Sequence, residues 1–71
     1  MSNEFKERVA ENLRVLRARK HVSGREVAEL IGMSQAGYSL IENATNNLTL
    51  DRAIKIADYY GITLDELVGR S

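Results

Sequence analysis

The stretch Ser23 to Asn43, SGREVAELIGMSQAGYSLIEN, constrains this chain more than any other. Ser23 followed three residues later by Glu26 is a capping box, which satisfies two otherwise orphaned amides and starts a helix at Gly24. Val27, Ala28 and Ile31 give that helix, expected over about 24–31, one apolar face. Gly32 supplies the left-handed residue that stops it. Ser34 can then cap a second helix, about 35–43, whose Tyr38 and Ile41 point back at the first. Two helices of about two turns each cannot stand alone in water. They must rest on a body, and they hold the second helix out from it at a fixed angle.

The rest of the chain supplies that body. A first helix is expected from about Asn3 to Lys20, capped by Ser2 or Asn3, with Phe5, Val9, Leu13 and Leu16 on one face. A fourth should span about Leu50 to Tyr60, capped by Thr49 and closed by Gly61. Its expected core face is Leu50, Ala53, Ile54 and Ala57, continued by Tyr60. Thr63 to Glu66 is a second capping box and opens a short fifth helix through Val68. The reading is an all-α, five-helix arrangement forming a single domain over 1–71.

Size and composition narrow the function. Seventy-one residues lie near the lower limit for folding on one core. With no cysteine there is neither a disulfide nor a thiolate metal site, so apolar burial must hold the fold, with a partner subunit as a further source of it. No apolar run approaches a membrane span or a signal peptide, and the cytoplasm is the expected location. An enzyme is not expected. Ser23, Ser34 and Ser39 have no histidine–acid pair in reach by pattern, and the acidic residues are expected at cap or solvent positions. The lone His21 has no second metal-type neighbour, so neither a metal nor a cofactor is expected.

Net charge is zero but unevenly spread. Seven basic residues lie in 1–25 (Lys6, Arg8, Arg14, Arg17, Arg19, Lys20 and Arg25) against three acidic ones, and the remainder reverses the ratio. The asymmetry fits a dipolar molecule that turns its basic side to phosphate, and it equally fits two solvated faces. The cations that close helix one also suit the negative pole of its dipole.

Leu16 to Glu42, LRARKHVSGREVAELIGMSQAGYSLIE, resembles the lambda-repressor and Cro-like helix-turn-helix family, often called XRE-type regulators. The small Ala28, the turn glycine Gly32 and the apolar Val27, Ile31, Met33, Tyr38 and Ile41 carry the likeness. Asn47 to Val68, NLTLDRAIKIADYYGITLDELV, is similar to the family's last two helices. The resemblance implies a lambda-repressor-like domain, its helix-turn-helix at about 24–43, that binds double-stranded DNA in the major groove and regulates transcription by occupying an operator. It implies that Gln35 reads adenine, that Ala36 and Leu40 press on thymine methyls, and that Ser39 and Asn46 lie at base edges. Arg17, Arg19, Lys20, the Gly24 backbone, Arg25, Asn43 and Thr49 would meet phosphates.

Departures from the family pattern are also legible. His21 stands where glycine is common, so the loop there is expected to be somewhat strained or differently wound. Gly24 stands where the family places glutamine, and Tyr38 where it prefers isoleucine or valine. Gly37 within a helix costs about 1 kcal/mol against alanine, and it is expected either to allow close approach of the DNA backbone or, the slightly favoured reading, to make room for Tyr38. Ala44 replaces a glycine, so Asn43 is expected to take the left-handed position.

A homodimer on a palindromic site is expected, since one domain offers few base contacts. Leu64 or Ile62 should close the core, leaving Leu67, Val68 and the rest of helix five, with Tyr59 nearby, to meet the second copy. The rival reading is a protein-binding module, antitoxin-like, whose main partner is a polypeptide. Zero net charge and the missing glutamine favour it.

Overall fold

Residues 4–69 are described by a computed structural model. Among them run five helices and no strand: α1 (Glu4–Lys20), α2 (Gly24–Leu30), α3 (Gln35–Glu42), α4 (Leu50–Tyr60) and α5 (Leu64–Val68). The expected cap at Ser2 or Asn3 lies outside the described residues.

Local chemistry sets most of the boundaries. Both capping boxes form: Ser23 Oγ accepts from the Glu26 amide at 3.1 Å, and Thr63 Oγ1 from the Glu66 amide at 3.0 Å. Each glutamate returns the bond to the cap's own amide. Thr49 differs. It occupies the cap position of α4 but its side chain accepts no capping bond from a backbone amide of the helix. Its hydroxyl instead helps hold the Asp51 carboxyl below the usual carboxylate range.

The core gathers one stripe from every helix. Val9, Ala10 and Leu13 of α1, Val27 and Ala28 of α2, Ile31 beyond it, Tyr38 and Ile41 of α3, Ala53, Ile56 and Ala57 of α4 and Leu67 of α5 are all buried. Leu13, Val27, Tyr38, Ile56 and Leu67 are the large residues sealed completely, each of the four aliphatic ones contributing about 1.5–3 kcal/mol. The Asn12 amide ties α1 to α5 by donating to the Leu67 carbonyl at 2.9 Å.

Several expectations need correction. On α4, Leu50 is 69% exposed and Ile54 44% exposed, whereas Ile56 fills the core. The helix is therefore rolled so that Ala53, Ala57 and Tyr60 of the expected face stay on the core while Leu50 and Ile54 turn outward. Phe5 is half exposed, over a shallow apolar cleft that it shares with Leu48 and Val68. Leu67 is fully buried within the chain, so it is not available to a second copy. Leu64 and Val68 are half-buried against the same core. Asn43 is not left-handed (φ −93°); Ala44 takes that conformation at φ 63°. His21, the other departure from glycine, is also left-handed at φ 59°.

Candidate nucleic-acid interface

The α2–α3 unit is held by three backbone devices. Gly32 (φ 72°) lets the Met33 amide reach back to the Ala28 carbonyl at 2.8 Å, which ends α2 in a Schellman turn. Ser34 Oγ then accepts from the Gly37 amide at 3.0 Å and starts α3. At its far end the Thr45 amide returns to the Leu40 carbonyl at 2.9 Å, with Ala44 as the left-handed residue. Ala28 is buried, which lets α2 and α3 pack closely.

Gly37 is not placed as expected. A β-carbon there would sit 3.2 Å from Met33 Cε and 3.2 Å from Ser34 Oγ, so its small size keeps the turn and its capping hydroxyl in place. The glycine that faces Tyr38 is Gly24, whose β-carbon would touch the ring at 3.7 and 3.8 Å. That is ordinary contact, so a side chain at position 24 is tolerable.

Rigidly mounted in this way, α3 turns Gln35, Ala36, Ser39 and Leu40 outward, all exposed. Gln35 opens the helix, and Asn43 and Asn46 are exposed at its other end. Leu40 is 40% exposed.

Beneath the helix lies an anchor that sequence reasoning missed. Glu42, the last residue of α3, is among the acidic residues expected at cap or solvent positions but is 8% exposed. Arg17 of α1 grips it with two donors, Nε at 2.8 Å and Nη2 at 3.1 Å, and gives Nη1 to the Val22 carbonyl at 3.3 Å. Arg14, one turn earlier, donates to the Glu42 backbone carbonyl. A bidentate guanidinium–carboxylate pair fixes orientation as well as distance. The bond to Glu42 also holds the Arg17 guanidinium above its ordinary range. Arg17, expected at a phosphate, thus has a structural task. The sequence held one clue: a carboxylate at a helix C-terminus opposes the dipole and implies a cation from elsewhere.

Tyrosines close this corner. The Tyr38 and Tyr60 hydroxyls are buried and make no hydrogen bond of normal geometry. Burial, then the nearby Glu42 carboxylate, push the Tyr38 hydroxyl well above the ordinary tyrosine range. Burial, then Tyr59, push Tyr60 up to about 12. Tyr59 is half-buried, meets Tyr60 edge-on at 5.0 Å, and carries the Lys20 ammonium 5.1 Å above its ring.

Of the other expected phosphate contacts, Arg19, Arg25 and Thr49 are exposed and Gly24 is half-buried. Arg25 reaches Glu29 at 3.8 Å, both side chains largely in water, a pairing worth little. Among the described residues no cluster could hold a metal ion, and no helix is long and apolar enough to cross a membrane.

The helix-turn-helix family matches residues 13–67 of the chain. A crystal structure of a transcriptional regulator from Listeria innocua superposes with a TM-score of 0.85 at 25% identity, over 89% of this chain and 59% of that one. A crystal structure of a hypothetical transcription factor from Neisseria, NHTF, gives 0.81 at 26% identity, over 92% of this chain and 75% of that one. The chain thus spans less than two thirds of the Listeria protein's length. No curated protein sequence matches the chain.

Proposed function

Since the chain belongs to the helix-turn-helix family of XRE type, we propose that it binds double-stranded DNA sequence-specifically through α3 and regulates transcription by occupying an operator. The observation that carries this reading is the outward row Gln35, Ala36, Ser39 and Leu40 on a helix fixed at both ends and from below. Gln35 stands first on the helix, where its amide can meet adenine N6 and N7 together. Ala36 and Leu40 offer apolar contact to thymine methyls, and Ser39 and Asn46 reach the neighbouring base edges. Arg19, Lys20, Arg25, Asn43, Thr49 and the Gly24 amide meet the backbone phosphates and set the register. No chemistry is performed on the DNA, and the chain acts in the cytoplasm.

A two-fold pair of copies completes the reading. The molecule measures 30 × 24 × 22 Å, whereas successive major grooves on one face lie about 34 Å apart. One copy therefore serves one half-site, and two recognition helices related by symmetry read a palindrome.

Selection of bound sequences from random duplex, followed by titration of Gln35→Ala, tests the assignment. The substitution should cost about 1–3 kcal/mol on the selected site and relax preference at one base pair. An equal loss on every sequence would show that Gln35 touches only phosphate.

A further inference from the structure

We propose that the exposed face of α4 is where a second copy of this chain docks, antiparallel across a two-fold axis at the level of Ala53. The inference rests on the dimeric reading above and gives it a surface. Leu50 and Ile54 lie one turn apart on α4, and among the described residues Leu50 is the most exposed of the large apolar ones. Neither closes the core, a task that falls to Ala53, Ile56 and Ala57, so Leu50 and Ile54 lie at the outer edge of the core-facing stripe and turn to solvent. Two neighbouring apolar side chains with no core role gain nothing from water.

The flank of the same face selects the partner. Asp51 and Lys55, both exposed, follow one another at i, i+4 beside Leu50 and Ile54, and no ion pair joins them within the chain. A two-fold axis across an antiparallel helix pair keeps each flank opposite its own copy. Centred at Ala53, midway between the two charges, it brings Lys55 level with Asp51 of the second copy, twice. In that register Ile54 lies about 3 Å along the axis from its counterpart, and Leu50 lies equally close to the second copy's Ile54. The face is therefore complementary to itself in both charge and apolar pattern. Two apolar residues per copy are far less than the ~800 Å² a standard partner buries. The contact is weak in free solution and is completed when two copies sit on adjacent half-sites.

Sedimentation of the chain from low micromolar to near-millimolar concentration should show mass shifting from one copy toward two. Leu50→Glu or Ile54→Lys should abolish the shift with thermal unfolding unchanged, because both positions are exposed. Lys55→Asp should weaken association by about tenfold or more, and adding Asp51→Lys should restore it. A chain that stays single at every concentration overturns the proposal. So does a double reversal no better than Lys55→Asp alone. Binding to a duplex carrying one half-site is measured in parallel, since it needs Gln35 and not α4. If no variant binds any duplex, the operator reading fails while the mass data still judge the α4 contact.

Discussion

Residue by residue, the strain is concentrated at two places. His21 and Ala44 adopt the left-handed conformation, where a β-carbon crowds the following carbonyl and costs about 1–2 kcal/mol. The other left-handed positions, 32, 61 and 69, are glycines. Ala44→Gly should raise stability by about 0.5–1 kcal/mol, less than the full strain because glycine gains freedom in the unfolded chain. A denaturant titration checks this through a higher midpoint at constant slope. The buried tyrosines supply a second outcome at this scale. Their hydroxyls lose protons at a higher pH in the folded chain than the value of 10.0 they have when free. Native structure then binds more protons than the unfolded chain, so stability is full below pH 10 and falls as pH rises through about 12. Tyr60→Phe should flatten that fall, read as the thermal midpoint against pH.

At the level of elements, what local chemistry decides could be read in advance. SGRE and TLDE each hold their bonds within four residues, and both helix starts lie where those motifs put them. The roll of α4 could not be read. Leu50, Ala53, Ile54 and Ala57 fit a helical stripe perfectly, but Ile56 and Tyr60 extend the apolar surface round another side. Which side turns inward depends on what α1, α2 and α5 leave open, and no periodicity contains that. Glu42 escaped for the same reason, since its partners lie 25 and 28 residues away. Replacing it should be informative. Glu42→Gln leaves the Arg17 guanidinium without its counter-charge at a half-buried site, and should cost about 2 kcal/mol. Affinity for the selected duplex should drop further than the lost stability explains, because α3 loses its fixed tilt. Fluorescence titration under conditions where the variant is fully folded separates the two. The outward residues of α3, by contrast, followed from the positions of Tyr38 and Ile41 alone, both of which are buried as read.

For the whole molecule, zero net charge hides a separation between a basic N-terminal third and an acidic remainder. The phosphate contacts proposed for Arg19, Lys20 and Arg25 would release counterions, so affinity for duplex DNA should fall linearly with salt on logarithmic axes. Neutralising any one of them should lower that slope by about one unit. Salt titration with Arg19→Gln and Arg25→Gln measures it, and indifference to salt would mean that the basic side does not face the DNA. The anchor under α3 reaches beyond this chain. Because Arg14 and Arg17 grip Glu42 from a separate helix, the pitch of α3 is stored in α1, outside the stretch proposed to read bases. A graft of Gln35 to Leu40 onto a related scaffold would carry the letters without the angle. Transplanted specificity requires Arg14, Arg17 and Glu42 to travel with them.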